Sequence, residues 1–217
     1  MRRAALFDMD RTLVREHTAR LYTRYQADLG ELSLWHRLRN SFWLLQYTVG
    51  VVNAEHVAAL ALQDVAGKTE SWMRQRCEHW FTHNIEPHIT QAARDAVAAH
   101  QRMGDLCCIV TAATRYVAEP VARAFNIDHI VCTEIEQEEQ AFTGRFIPPM
   151  AYGPGKVLKM QEFARQFEFE LREATFYSDS ITDLPLFECV GIPVAINPDQ
   201  RLSRLAKRRG WRIEQWR

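Results

Sequence analysis

The sequence predicts an α/β fold: a Rossmann-like parallel sheet core with helices on both faces, plus an inserted all-helical cap domain. Short apolar runs recur along the chain, and amphipathic stretches separate most of them. This alternation is typical of a parallel sheet with crossover helices. Residues 15–88 break it, because the pattern there is helical and gives no strand signal. We therefore predict an α/β core of residues 1–14 and 89–217 and a helical cap of residues 15–88.

The strand signals are the segments RAALF, LCCIVT, HIVC, ATFYS and IPVAIN. A second helix of the core is predicted after GPG, and a third has Pro185 in its first turn, where the missing N–H is tolerated. Gly191 separates that third helix from the strand IPVAIN. The first crossover helix is predicted over residues 92–103, with an apolar face of Ala92, Ala96, Ala99 and Met103.

One apolar run in the predicted cap, FWLLQYTVGVV at residues 42–52, raises the question of a membrane. Its 11 residues include Gln46 and Thr48, and a bilayer-spanning helix needs about 18 or more apolar residues. We interpret the run as a buried helix, with a helix lying in a membrane interface as the alternative.

Composition limits the partners of the protein. The 217 residues contain 27 Lys and Arg and 27 Asp and Glu, so there is no overall excess of charge to attract nucleic acid or an anionic membrane. The basic end KRRGWRIEQWR is interpreted as a helix end followed by an edge segment. The start of the chain lacks a signal-peptide core, and the five cysteines indicate buried packing rather than disulfides. We expect a cytoplasmic protein without nucleic-acid or membrane partners; the oligomeric state is left open.

Polar residues that could bind a ligand or take part in a reaction follow the predicted strands. In an open parallel sheet the carboxyl ends of the strands share one edge, where ligands bind. Carboxylates gathered there repel one another unless a hard cation sits among them, and an all-oxygen ligand set suits Mg²⁺. A hydroxyl and an ammonium group beside the metal would cradle a phosphate. The candidates are Asp8, Asp10, Thr111, Lys156, Asp179 and Asp183.

The ordered motifs DMDRT, IVTAAT, GK and SDSITDLP resemble those of haloacid dehalogenase superfamily phosphatases, and more closely their phosphoserine-phosphatase-like branch with a helical cap. The match runs from Asp8 to about Asp199. The resemblance implies that Asp8 attacks phosphorus and becomes an aspartyl phosphate. It also implies that Asp10 protonates the leaving alkoxide and then deprotonates the hydrolytic water.

The same resemblance implies the binding roles of the remaining motif residues. Mg²⁺ would be held by Asp8, the backbone carbonyl of Asp10, and Asp179, with Asp183 supporting it directly or through water. Thr111 and Lys156 would bind the nonbridging oxygens of the substrate phosphate.

The identity of the substrate is less defined by the motifs. Arg11 occupies a position that is commonly small in the family, and Glu16 and His17 follow where an acidic residue reads the amine of phosphoserine; we take all three as possible substrate-recognition residues. SDSITD stands in place of the usual GDGxND. The expected function is hydrolysis of a small soluble phosphate ester: phosphoserine, histidinol phosphate or a similar amino-acid or amino-alcohol phosphate. The alternative is a non-hydrolytic phospho-acceptor or sensor.

Overall fold

A computed structural model of the protein describes residues 3–31 and 54–216. The FWLLQYTVGVV run of the predicted cap lies outside these residues. The described strands form one seven-stranded sheet with the spatial order β4-β3-β2-β1-β5-β6-β7. They are β1 (Ala4–Phe7), β2 (Leu106–Thr114), β3 (His129–Glu138), β4 (Ala141–Ile147), β5 (Thr175–Ser178), β6 (Ile192–Ile196) and β7 (Arg212–Glu214).

The α-helices of the described residues alternate with these strands in the core. In chain order they are α1 (Thr18–Asp28), α2 (Ala54–Gln63), α3 (Glu70–Trp80), α4 (Gln91–Arg102), α5 (Arg115–Ala124), α6 (Pro154–Gln166), α7 (Leu184–Phe187) and α8 (Gln200–Arg209). A π-helical turn, Phe81–Ile85, and a 3-10 turn, Glu86–His88, continue α3 toward the core. None of the described helices is both long and apolar enough to cross a membrane.

The short first strand lies at the centre of the sheet. Ala5 is in register with Cys107 of β2 on one side and with Thr175 of β5 on the other, both parallel. All four residues of β1 are buried, as expected for a parallel strand covered on both faces. The predicted α/β class is therefore confirmed, and the residues after Phe7 leave the sheet at its middle.

The side chains of alternate strand residues fill two separate apolar clusters, one on each face of the sheet. Phe7 and Cys107 belong to the first cluster, whereas Leu6 and Cys108 belong to the second. This division follows from the two-residue period of a strand. All five cysteines are free, and only Cys189 is not fully buried, which agrees with their predicted packing role.

The first crossover helix exists, but its predicted core face was only partly correct: Ala92 and Ala96 are partly buried and pack against the first cluster. Ala93, Val97 and His100 of α4 are the buried residues, and Met103 is 53% exposed. The sequence pattern of alanines misled the assignment, because Ala occurs equally well on either face of a helix. Val97 is the only β-branched aliphatic residue of α4 and marks the true buried stripe.

Strand β4 was not predicted, and HIVC covers only the start of a longer strand. β3 and β4 form an antiparallel hairpin joined by the two residues Glu139 and Gln140, which have φ values of 48° and 68°. Two-residue hairpin turns with positive φ at both positions usually carry Asn or Gly. Because neither is present here, the sequence lacked the usual turn signal.

The described part of residues 15–88 is helical, as expected. Side chains of α2, the turn after it and α3 meet the β3–β4 hairpin and α5 in a third apolar cluster of Leu62, Val65, Met73, Cys77, Tyr116, Ile135 and Phe142. Ion pairs join Arg74 of α3 to Glu119 and Glu78 of α3 to Arg123. The division into core and cap at residues 15 and 88 stays a prediction.

Candidate active site

Three buried charges meet where β1 and β5 end. The Lys156 Nζ donates to Asp8 Oδ1 at 2.9 Å and lies 2.8 Å from Asp183 Oδ1 and 2.9 Å from Asp183 Oδ2. Lys156 is 2% exposed, Asp8 7% and Asp183 4%. The ammonium group therefore bridges two carboxylates in a place that water barely reaches.

Lys156 reaches this position because the backbone before it folds tightly. It stands in the first turn of α6, and a Cβ atom at Gly155 would lie 2.1 Å from the carbonyl oxygen of Met150. Only glycine permits that approach. The Ala151 N–H donates to Thr133 Oγ1 at 3.2 Å, which ties the same loop to β3. The segment GPGK is thus a close-packed loop that delivers a lysine.

Asp179 follows β5 and faces Arg11. Arg11 Nε lies 3.3 Å from Asp179 Oδ2, and Asp179 is 5% exposed. Arg11 has a φ of 56°, a left-handed conformation that is uncommon for a residue with a side chain. The turn at Arg11 thus directs its side chain to a predicted metal ligand. The DMDRT segment therefore carries the buried carboxylate of Asp8 and also the cation, Arg11, that pairs with a second buried carboxylate, Asp179.

Asp10 is linked to the first helix after the motif. Its Oδ1 accepts a hydrogen bond from the Thr18 N–H, the first residue of α1, at 2.5 Å. His17 precedes the helix and is partly buried, and Glu16 pairs with Arg20 over 3.9 Å. The possible recognition residues Glu16 and His17 therefore lie beside Asp10, at the junction of the core and α1.

Thr111 lies inside β2 rather than after it, since the strand continues to Thr114 with an irregularity beyond Val110. It is 1% exposed, and its Oγ1 accepts from the Ala113 N–H at 3.1 Å. Phe7 of β1 is in register with Ile109 of β2. Asp8 comes one residue after Phe7 and Thr111 two residues after Ile109, so the two lie close to the same level of adjacent strands. Thr111 therefore lies at the same edge of the sheet as the carboxylates.

Two residues without an assigned role brace the loop that carries Asp179 and Asp183. Ser178 Oγ donates to Asp183 Oδ2 at 2.6 Å. Asp199 accepts from the Ile181 N–H at 2.8 Å, and its own N–H donates to the Asp179 carbonyl at 2.9 Å. Asp199 also caps α8, which an Asp before an amphipathic stretch indicates. Ser178 had no such signal beyond its place in SDSITD.

Burial and mutual repulsion change the proton affinities of the cluster. Burial raises the pKa of Asp8 to about 7, against the opposing effect of Lys156, and Asp183 and Asp10 raise it further. Burial, and to a smaller extent the charge of Asp8, hold the pKa of Asp179 well above its usual range, whereas the charge of Arg11 lowers it. For Lys156, burial lowers the pKa, but Asp183 and Asp8 more than compensate and raise it.

The charges of the cluster do not balance. Asp8, Asp10, Asp179 and Asp183 influence one another electrostatically, and among the residues that the structure describes only Lys156 and Arg11 form ion pairs with them. Two negative charges are therefore left when all four carboxylates are ionised. Within residues 3–31 and 54–216, no three His, Cys, Asp or Glu side chains form a ready-made metal cluster. The donors are nonetheless all oxygen atoms, so in number and type they fit a hard divalent cation.

Comparisons with known proteins find relatives that are named phosphatases. A histidinol-phosphatase from Neisseria meningitidis serogroup C is 27% identical over 98% of both chains. Phosphoserine phosphatase SerB1 from Mycobacterium tuberculosis is 32% identical, over 99% of this chain and 71% of its own length. A protein of unknown function from Bordetella pertussis Tohama I has a similar crystal structure, with a TM-score of 0.90, 32% identity and coverage of 99% of this chain and 98% of that one.

The family assignment rests on most of the chain. Residues 5–188 match the haloacid dehalogenase-like hydrolase family, and this span includes most of β1, the GPGK loop and the loop after β5. The residues that carry the resemblance in sequence are thus the ones that the fold gathers at one edge of the sheet. The chain belongs to the haloacid dehalogenase-like hydrolase family.

Proposed function

We propose that the protein is a Mg²⁺-dependent phosphomonoester hydrolase that works through an aspartyl phosphate on Asp8. The observation that carries this proposal is the buried bridge from Asp8 through Lys156 to Asp183. A lysine held at that point offsets the charge of the carboxylate and of an incoming phosphoryl group. The names of relatives as phosphatases support the same reaction class.

The reaction proceeds in two displacements at phosphorus. A carboxylate oxygen of Asp8 forms a bond to phosphorus as the ester P–O bond breaks, and Asp10 gives its proton to the departing alkoxide. Asp10 then takes a proton from water, whose oxygen attacks phosphorus and releases Asp8 and inorganic phosphate. Using one residue as acid and then base follows from reversal of the proton path.

The Asp10 carboxylate is positioned for that exchange by α1. One of its oxygens accepts the Thr18 N–H, which leaves the other oxygen to carry the proton. Thr111 and Lys156 supply donors to the nonbridging phosphate oxygens. Thr111 is buried at the same sheet edge. Its hydroxyl oxygen accepts the Ala113 N–H, and this contact does not use the hydroxyl hydrogen, which would donate to phosphate.

The cation would be held by Asp8, the backbone carbonyl of Asp10 and Asp179. Asp183 would act from further out, because both its oxygens are already engaged by Lys156 and Ser178. When bound, Mg²⁺ would neutralise the two excess negative charges and so allow a phosphate dianion to approach Asp8. The raised proton affinities of Asp8 and Asp179 are the expected property of carboxylates gathered without such a cation.

The substrate we propose is a small phosphate ester of an amino acid or amino alcohol. The relatives named histidinol-phosphatase and phosphoserine phosphatase both suggest this class. Arg11 pairs with Asp179, and Glu16 and His17 directly precede Thr18, whose N–H donates to Asp10. These three residues would read the alcohol part. Burial lowers the pKa of His17, so it would meet the substrate as a neutral ring.

Steady-state assays with p-nitrophenyl phosphate and Mg²⁺ test this function. Multiple turnovers are expected, with activity lost in EDTA, restored by Mg²⁺ and poorly restored by Ca²⁺, whose longer bonds loosen the attack geometry. A single stoichiometric burst would instead indicate a phospho-acceptor protein. Full activity with Ca²⁺ alone would contradict the proposed metal site.

A panel of phosphate esters then identifies the alcohol. Phosphoserine, histidinol phosphate and phosphoethanolamine differ in their carboxylate and amine groups, so their relative kcat/KM values report which group is read. The variants Arg11→Ala, Glu16→Ala and His17→Ala are expected to lower kcat/KM for the preferred ester far more than for p-nitrophenyl phosphate. Equal losses on both substrates would place recognition elsewhere.

A further inference from the structure

We propose that a cavity beside the active site is an anion subsite, in which Arg11 and Arg15 bind a carboxylate that the substrate carries in addition to its phosphate. This inference deepens the proposed function and rests on it. The cavity has a volume of about 480 Å³. The described residues that line it are Arg11, Arg15, Asn197, Pro198, Gln215 and Trp216.

The wall of this cavity is cationic. Its described lining includes two arginines and no Asp or Glu, although the whole chain has 27 Lys and Arg against 27 Asp and Glu. Within residues 3–31 and 54–216, Arg15 forms no ion pair, and Arg11 forms one, with Asp179. An anion that enters the cavity would therefore meet two guanidinium groups and no described carboxylate on the wall.

Arg11 connects the cavity with the carboxylates of the active site. Its Nε lies 3.3 Å from Asp179 Oδ2, and the same side chain lines the cavity. Asn197, on the far wall, directly follows β6, which runs parallel to β5. Asn197 and Asp179 thus lie at the same edge of the sheet, where ligands of parallel sheets bind. The cavity therefore adjoins the proposed metal ligands.

The backbone holds both arginines in place. Arg11 stands in a tight turn with a φ of 56°. The Arg15 N–H donates to the carbonyl oxygen of His88 at 2.9 Å, and Val14 before it forms an antiparallel bridge with Ile89. A guanidinium on a fixed backbone loses less freedom when it binds, and its planar fork matches the two oxygens of a carboxylate.

The far wall of the cavity is also fixed. Asn197 Nδ2 donates to the Trp216 carbonyl oxygen at 3.2 Å, and the Trp216 N–H donates to Asn197 Oδ1 at 3.0 Å. Trp216 is 4% exposed and packs on Tyr177, with ring centroids 5.4 Å apart. Because the Asn197 amide is engaged in this way, the charged donors for a bound anion are the two arginines.

This subsite narrows the class of substrate. A phosphate ester with a carboxylate, such as phosphoserine, would place its phosphate at Asp8 and its carboxylate between Arg11 and Arg15. Phosphoethanolamine and histidinol phosphate carry an amine but no carboxylate, so they would leave the subsite without an anion. The cavity therefore favours esters of amino acids over esters of amino alcohols.

Competition against p-nitrophenyl phosphate hydrolysis tests the subsite. The probes are phosphonoacetate, phosphonopropionate and phosphonobutyrate, and each is compared with the alkyl phosphonate that has a methyl group in place of the carboxylate. In the wild type, the carboxylate should lower the inhibition constant about tenfold or more for at least one chain length. That factor corresponds to about 1.4 kcal/mol, close to the contribution of one hydrogen bond to a charged group.

Arg15 variants then assign the effect to the cavity. Arg15→Gln should reduce the advantage of the carboxylate by about fivefold or more, because an amide still donates but carries no charge. Arg15→Glu should turn the advantage into a disadvantage through repulsion. Arg15 is the informative position, since Arg11 also contacts Asp179 and its loss would combine two effects.

Arg24→Gln is the matched control. Arg24 is another exposed arginine without an ion pair in the described part of the chain, but it does not line the cavity. Its loss should leave the advantage of the carboxylate as in the wild type. Equal inhibition by both members of every pair, a full advantage in Arg15→Gln, or an equal loss in Arg24→Gln would overturn the subsite and leave the phosphatase function standing. A wild type that neither hydrolyses p-nitrophenyl phosphate nor binds the phosphonates in calorimetry would overturn the proposed function, and this inference with it.

Discussion

Lys156 allows two carboxylates, Asp8 and Asp183, to lie close together in a buried space. Its Nζ lies 2.9 Å from Asp8 Oδ1 and 2.8 Å from Asp183 Oδ1. The same atom lies 5.8 Å from the centroid of the Phe176 ring. A buried ion pair costs desolvation on both sides and is retained only with good geometry. The short contacts of Lys156 with both carboxylates supply that geometry.

Asp8→Asn is the substitution that removes the proposed nucleophile with the least change of shape. We expect kcat for p-nitrophenyl phosphate to fall by more than about a thousandfold while phosphate still binds, because the amide cannot attack phosphorus. Single-turnover and steady-state assays measure the loss, and calorimetry measures phosphate binding. Activity within about tenfold of the wild type would remove Asp8 from that role.

Asp179→Asn should stabilise the protein in EDTA, and increasingly so as pH rises. The folded-state pKa of Asp179 is raised, chiefly by burial, so its contribution to stability is full below its unfolded pKa and is lost as pH rises through its folded pKa. An amide does not titrate and avoids that loss. Thermal melts at pH 5 and pH 8 in EDTA measure the difference between the proteins.

The same melts in saturating Mg²⁺ supply the control for Asp179. Ligand binding stabilises the folded state, by about 2.7 kcal/mol at a concentration a hundred times Kd, and the wild type should gain more from Mg²⁺ than the variant does. A variant that is less stable than the wild type at pH 8 in EDTA would contradict the raised pKa of the Asp179 carboxyl group.

The β3–β4 hairpin is held together despite an unfavourable turn. Glu139 and Gln140 both have positive φ values, yet Thr143 Oγ1 and Arg145 Nε each donate to Glu136 Oε2 at 2.7 Å. These cross-strand contacts lie on the partly exposed face of the hairpin. Side chains along the strands therefore stabilise a register that the turn residues do not favour.

Gln140→Gly should raise the stability of the protein by about 0.5–1 kcal/mol, because glycine adopts a positive φ without steric cost. Urea unfolding measures the change in free energy. Ala141→Gly, one residue later and inside β4, is the matched control and should destabilise by a similar amount, since glycine weakens a strand. Destabilisation by Gln140→Gly would show that the turn conformation differs from that described.

Across the part of the molecule that the structure describes, three apolar clusters connect the helices and strands. Two lie on the faces of the sheet, and the third joins α2 and α3 to α5 and the hairpin. Phe142 is 2% exposed and packs edge to face on Tyr116, with ring centroids 5.3 Å apart. Helices α2 and α3 are thereby packed against the side of the sheet at which β4 is the last strand.

Phe142→Ala should lower the free energy of unfolding by about 3–5 kcal/mol, because it leaves a cavity where three elements meet. Urea denaturation followed by circular dichroism gives the value. Phe146→Ala on the same strand is the matched control: its side chain is only partly buried, so its loss should be clearly smaller. A loss below about 1 kcal/mol for Phe142→Ala would mean that the third cluster contributes little to cohesion.

The sequence by itself determined the α/β class and the identity of the polar residues at the sheet edge. Alternating strand and helix patterns require parallel strands, and parallel strands place their carboxyl ends together. Asp8, Lys156, Asp179 and Asp183 could therefore be brought to one region without knowledge of any contact. Three carboxylates and one amine in one region already indicated that the site binds a cation and a phosphate.

Only the tertiary structure decided which of these groups touch. The Lys156 bridge joins residues 148 positions apart, and the Ser178 and Asp199 contacts depend on the exact course of the loop after β5. The hairpin and the buried face of α4 were also decided by packing, which overrides weak local preferences for turn and helix face. Periodicity reports which face of an element is apolar, but hydrogen bonds between distant residues depend on distances that a sequence pattern does not contain.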